Sequence, residues 1–162
     1  MLITPEIQQF AEKKLIGYHL NMSLANDRTF ELWSSFMPRR KEIPNPLSTD
    51  LYSIQVYDNT MDFNTFNIHT NLEKWAAIEV PDFNTIPNGM DTIIIPQGLY
   101  ATFTYKGLPQ DFEPIIRYFY ENWLPTSGYA PDHRPHFEIL GTKYKNNHPD
   151  SEEEIWIPVR RK

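Results

Sequence analysis

The sequence predicts an α+β domain built from two consecutive βαββ units. Three observations carry this expectation. The order strand–helix–strand–strand occurs twice along the 162 residues. Both helical segments repeat apolar residues at three- and four-residue spacing. The strand-length run from Gly98 to Gly107 is bounded by glycines, which supply turn conformations cheaply. A chain of this length suits one domain with one sizeable core. The expected division is repeat one over residues 1–80, a linker over 81–97 and repeat two over 98–162. Identity between the copies is low, so the repeat rests on element order and spacing. Each unit exposes an apolar sheet face that must be covered, and two units side by side leave a cleft suited to a ligand.

In repeat one, Lys14 to Leu24 alternates enough to read as a strand. Asp27 and Thr29 are candidate helix caps, because their side-chain oxygens accept from otherwise unpaired backbone N–H groups. Leu32, Trp33, Phe36 and Met37 form the apolar stripe of that helix, and Pro38, Pro44 and Pro46 end or kink it. Strands are expected at Leu51 to Tyr57 and Lys74 to Val80, flanking a polar, Asn-rich stretch from Asp58 to Asn71.

Repeat two opens with a strand bounded by Gly98 and Gly107. Asp111 is the candidate cap of a helix with Phe112, Ile115, Ile116, Phe119, Tyr120 and Trp123 at its apolar positions. Pro114 falls in the first turn, where no intrahelical N–H bond is lost. Leu124-Pro-Thr-Ser-Gly128 stops the helix. His136 to Tyr144 and Glu154 to Arg160 supply the last two strands, joined by the polar loop from Lys145 to Glu153.

Composition removes several functions. The absence of cysteine excludes disulfides, thiolate metal sites and thiol catalysis. No cofactor is expected, and the absence of a Gly-rich phosphate loop leaves nucleotide chemistry without support. His133 and His136 are three apart, but Arg134-Pro135 between them opposes a helical ligand pair, so no metal is expected. The net charge of −6 argues against direct nucleic-acid binding. The two basic clusters, Arg39-Arg40-Lys41 and Arg160-Arg161-Lys162, read as solvated element ends. No secretory signal or membrane-length apolar run is visible, which leads to the expectation of a cytoplasmic protein.

The second half resembles a known family. Ile95-Pro-Gln-Gly-Leu-Tyr-Ala-Thr-Phe103 resembles its strand entry, and Tyr118 to Pro125 with Ser127-Gly128-Tyr129 its helix and helix exit. Pro135-His-Phe-Glu138 and Glu154-Ile-Trp-Ile-Pro-Val159 resemble its closing strand pair. These motifs occur in order over Thr92 to Arg160, and together they identify the chain as similar to the GyrI-like domain, the effector-binding domain of bacterial AraC- and MerR-type regulators. The first half matches through Gly17, Leu32-Trp33 and Lys74 to Val80. It departs at Ser53-Ile54, where many relatives carry Gly-Val, and at Ala76-Ala77, where a glycine is common.

The resemblance implies a pseudo-twofold pair of βαββ units around a hydrophobic cleft. It implies a ligand receptor standing alone, without a helix-turn-helix module, since few residues precede the first strand. It also implies a ligand-binding role for Glu138, the match of the family's cleft glutamate.

The residues allow the same role. In the alternating strand from His136, Glu138 shares a face with His136 and Leu140, opposite Phe137 and Ile139. If Phe137 and Ile139 pack on the helices, Glu138 points into the cleft, with Ser53 its counterpart in repeat one. Trp156 is out of phase with Ile155 and Ile157 and is expected to share the cleft face. Trp33, Tyr52, Trp75, Tyr120, Phe103 and Leu140 complete the candidate lining. A carboxylate among aromatic faces suits a flat or lipophilic cation. The plainer readings are a solvent-exposed or Lys/Arg-paired Glu138 and aromatic residues that only fill the core.

Three functions follow as expectations. The first is a non-enzymatic receptor for amphipathic, cationic small molecules. The second is a small-molecule hydrolase using Glu138 as general base or acid. The third is a protein-interaction module acting on a partner such as gyrase or a separate regulator.

Overall fold

A computed structural model describes residues 3–162. Nine strands and two main helices run in the order β1 (Glu6–Phe10), β2 (Lys13–Met22), α1 (Thr29–Phe36), β3 (Leu51–Tyr57), β4 (Leu72–Val80), β5 (Asp91–Ile95), β6 (Gly98–Lys106), α2 (Phe112–Tyr118), β7 (Tyr129–Pro131), β8 (His136–Leu140) and β9 (Glu152–Arg161). The α+β class and the βαββ order expected from the sequence are both present. Among the described residues, no helix is long and apolar enough to cross a membrane.

All pairings are antiparallel, and the sheet order is β1-β6-β9-β8-β3-β4-β2-β5, with β7 added alongside β9. The two halves mirror one another about the β3–β8 pair. That pair sets Leu51 opposite Leu140, Ser53 opposite Glu138 and Gln55 opposite His136. The units are therefore joined edge to edge in one continuous sheet.

The sequence reading omits the two outermost strands, and they cross between the repeats. β1 leads into the first βαββ unit but pairs with β6 of the second, and β5 leads into the second but pairs with β2 of the first. β5 lies inside the segment expected to be a linker. Each leading strand thus ties its unit to the other, which two units joined only at β3–β8 would lack.

One sheet face carries Phe10, Leu15, Tyr52, Ile54, Trp75, Tyr100, Phe137, Ile139 and Trp156 as a single buried cluster. The ring centroids of Phe10, in β1, and Phe137, in β8, are 5.0 Å apart. Three strand spacings in a flat sheet would separate them by about 14 Å, so the sheet curves around this cluster. Phe137 is fully buried and stacks on Trp156 at 5.8 Å and 6°.

The other face carries the helices as two separate patches. Leu32 and Phe36 of α1 pack on Ile16, Ala76, Ile78 and Val80. Ile115 and Phe119 pack on Ala101, Phe103, Ile155 and Ile157. Asp27 accepts from the Thr29 backbone N–H at 2.9 Å, but the N-cap position of α1 is Arg28 and neither helix has a side-chain cap bond, so the cap roles expected for Asp27, Thr29 and Asp111 are not met. Pro38 turns the end of α1 into a 3₁₀ segment over Met37–Glu42. After α2 the chain widens into a π-helical turn over Phe119–Trp123. The extra residue of that turn lets the adjacent Phe119 and Tyr120 both face the sheet side.

Gly98 has a packing reason to lack a side chain. A Cβ there would lie 2.2 Å from Arg134 Nη1, and that guanidinium stacks on Tyr100 at 4.6 Å. Its Nη2 also donates to the carbonyls of Leu99 and Val159. Replacing Phe137 by Ala should lower the unfolding free energy by about 3–5 kcal/mol, because it hollows out the aromatic cluster. Urea denaturation followed by circular dichroism measures this, and a loss below about 1 kcal/mol would contradict that central role.

Candidate functional site

Between the two helix patches, the central strands hold a polar strip. Pairing register places Lys74, Gln55 and His136 in one row across β4, β3 and β8, and Ala76, Ser53, Glu138 and Ile155 in the next. Tyr57 extends the strip at the end of β3, and Glu153, two residues before Ile155, extends it on β9. These polar groups separate the two helix cores on this face of the sheet.

Glu138 is the centre. Its side chain is 20% exposed, and its Oε1 accepts from Gln55 Nε2 at 3.0 Å and lies 4.0 Å from Lys74 Nζ. Burial pushes its pKa up, and the Lys74 charge and the Gln55 hydrogen bond partly offset that rise. Glu153 is pushed up to about 7, first by burial and then by the charge of Glu138, with Lys74 opposing. Two carboxyl groups and one ammonium therefore share this part of the sheet.

Aromatic rings close the strip. Burial and the nearby Glu138 charge raise the phenol pKa of Tyr57, and burial, Tyr57 and Glu138 raise that of Tyr120. His136 meets Tyr57 edge-on at 5.1 Å and the Phe63 ring at 5.6 Å. Burial lowers its pKa to about 3, which keeps the imidazole neutral, and its Nε2 has no hydrogen-bond partner.

Phe63 reaches the site from the loop between β3 and β4. A short 3₁₀ turn, Phe63–Thr65, presents it, with Asp62 accepting from the Asn64 backbone N–H. The ring lies parallel to Tyr120 at 6.2 Å and also touches His133. Its other side lines an outer hollow of about 490 Å³ that includes Met61, Tyr120, Tyr129, His133 and Arg160. Glu138 is not part of that hollow's wall. Phe63 thus stands between solvent and the polar strip.

The structure divides the residues anticipated from the sequence. Glu138 and Leu140 share the helix-side face, and Tyr120 comes close enough for the Glu138 charge to affect it. Phe103 is on this face too, but within the α2 core, 6.3 Å from Phe119. Trp33 packs in the α1 core, edge-on to Phe36.

Three aromatic residues fall on the opposite face. Trp156 pairs with Phe137, Tyr52 with Ile139 and Trp75 with Ile54, so all three belong to the curved aromatic cluster. The expectation that Trp156 shares a face with Glu138 is therefore corrected, because the register puts Ile155 opposite Glu138. Phe137 and Ile139 likewise pack away from the helices. Trp156 and Phe103 together line a second hollow of about 560 Å³ beside the start of β1.

Sequence reasoning missed Gln55, Tyr57, Phe63, Lys74 and Glu153. Alternation from Ser53 marks Gln55 and Tyr57, and extending the last strand by one residue reaches Glu153, in phase with Ile155. Phe63 has no such signal, since its position depends on how an Asn-rich loop folds back. Among the described residues, no group of three or more His, Asp or Glu side chains could hold a metal ion.

The family model of the GyrI-like small molecule binding domain matches residues 3–160, and the chain belongs to that family. Similar solved structures include the C-terminal domain of EcmrR, at 16% identity and a TM-score of 0.72, with 100% of both chains covered. SAV2435 bound to tetraphenylphosphonium is 15% identical with a TM-score of 0.62, covering 98% of this chain and 94% of that one. A hydrolase from Listeria innocua is 14% identical with a TM-score of 0.61, covering 96% and 91%. At these identities the likeness concerns the fold. No curated protein matches the sequence.

The raised pKa of Glu153 has a consequence for stability. The folded state holds its proton more tightly than the unfolded chain, so stability falls as pH rises from the ordinary value of 4.5 through about 7. Carboxyl-carbon NMR should show Glu153 titrating near neutrality, with a lower midpoint in Glu138→Gln, where the neighbouring negative charge is gone. An unchanged midpoint would mean that the two carboxyl groups do not interact.

Proposed function

We propose that this domain is a receptor for amphipathic small molecules bearing a positive charge, received between the two helices at Glu138. One observation carries the reading: a partly buried carboxylate at the centre of the sheet, near the phenols of Tyr57 and Tyr120, with the Phe63 ring stacked over Tyr120. Burial disfavours the ionised carboxylate, and a bound cation restores it, so charge and apolar surface are recognised together. Aromatic faces add a quadrupolar attraction of about 0.5–2 kcal/mol each. The tetraphenylphosphonium bound to SAV2435, a protein of this fold, is a ligand of that chemical class. EcmrR, which carries a domain of this fold, is seen in a complex with DNA, which supports a link between ligand binding and a regulator.

A second reading is favoured by the carboxyl pair. Burial raises the pKa of both Glu138 and Glu153, and the Glu138 charge adds to the rise at Glu153, so a carboxyl group of this pair can hold a proton for general acid–base work. That arrangement suits hydrolysis of an electrophilic ligand, and the fold occurs in a hydrolase from Listeria innocua.

Calorimetric titration with tetraphenylphosphonium separates the readings. Glu138→Gln should weaken binding by about 10- to 100-fold, the loss expected for a desolvated charge pair. Equal affinity in the variant would sink the receptor reading. Disappearance of an aryl ester at a rate that Glu138→Gln abolishes would favour the hydrolase.

Phe63→Ala should speed association, because the ring separates the outer hollow from the polar strip. Stopped-flow mixing should show a larger association rate constant in the variant. A slower one would mean that Phe63 belongs to the binding surface and does not obstruct it.

A further inference from the structure

The strip contains a cation of its own. Lys74 is only 8% exposed, although lysine side chains normally reach water. Its register partners are Gln55 on β3 and Leu20 on β2, and its row continues through Gln55 to His136. Its Nζ is directed at Glu138 Oε1, the same oxygen that Gln55 holds, at a 4.0 Å separation that is too long for a hydrogen bond. His136, the nearest other titratable group of that row, is neutral. Lys74 therefore serves as counter-ion to a carboxylate it does not touch.

The geometry points to Lys74 as a specificity-determining residue, a tethered cation that competes with the ligand's charge for Glu138. The inference rests on the receptor reading above and deepens it. A cationic ligand group placed against Glu138 comes within ~5 Å of the Lys74 ammonium, where repulsion is comparable to the attraction it gains. The chain's own ammonium therefore discounts a single positive charge. Ligands favoured by the intact site are those that place their charge on the side of Glu138 away from Lys74, beside Glu153, or that spread it over a large apolar body. Small, concentrated cations are disfavoured. With Lys74 removed, Glu138 and Glu153 face each other without a counter-ion, and the demand for any external cation rises.

A charged and neutral isosteric pair reads this directly. Benzyltrimethylammonium and its neutral carbon analogue, 2,2-dimethylpropylbenzene, differ in charge with nearly the same shape. Their affinities are compared by calorimetry for the wild type, Lys74→Met, Lys74→Gln, Lys74→Arg and Glu138→Gln. In Lys74→Met the ratio of charged to neutral affinity should rise about tenfold or more, as loss of a nearby like charge requires. Lys74→Gln should behave alike and covers the case in which Lys74→Met does not fold. Lys74→Arg should restore the wild-type ratio. A lysine that only supports packing would shift thermal stability and leave the ratio unchanged, which overturns the inference. If Glu138→Gln lowers cation affinity while Lys74→Met leaves the ratio unchanged, only the role of Lys74 is lost. If the cation binds neither the wild type nor the Lys74 variants, or if Glu138→Gln has no effect on it, the receptor reading falls and the inference with it.

Discussion

The pairing of β3 with β8 is the constraint on which the rest depends. It joins the two βαββ units edge to edge at the middle of the sheet, and its register puts Ser53 directly opposite Glu138. Because side chains alternate faces, a slip of one residue would exchange the whole of each strand between helix side and aromatic side. In the observed register, Phe137, Ile139, Tyr52 and Ile54 enter the curved core. Glu138, Ser53 and Gln55 are left facing the gap between helices. The buried aromatic cluster and the polar strip are two consequences of one alignment.

The outer strands make that alignment hard to lose. β1 and β5 each pair with the unit they do not lead into, so separating the units would break two further ladders as well as β3–β8. Phe10 carries the link into the core, touching Tyr100, Phe137 and Trp156 from the edge of the sheet. The rigid, curved side of the molecule thereby supports a helix side that is divided and polar at its middle. In the proposed site this division leaves the charged groups on strands while a loop supplies the covering ring.

Electrostatics at the strip follow from proximity more than from any one residue. Glu138, Glu153 and Lys74 influence one another, and burial keeps bulk water from screening them. The neutral His136 and the phenols of Tyr57 and Tyr120 add no positive charge. Such a set responds strongly to one charge added or removed nearby.

The sequence by itself determined the element types, most of their limits and the family. Helical spacing placed Leu32, Phe36, Ile115 and Phe119 in buried helix faces, and alternation put Glu138 on the face of Leu140 and opposite Phe137. These are local properties of a helix or a single strand, so they are legible without knowing what lies alongside. Tertiary structure decided which face the helices cover and which strands adjoin. Trp156 is in phase with an inward face on either side of the sheet, and only its pairing with Phe137 assigns it to the aromatic core. Lys74, Glu153 and Phe63 join Glu138 through contacts between elements far apart in sequence, and no periodicity within one element encodes such contacts.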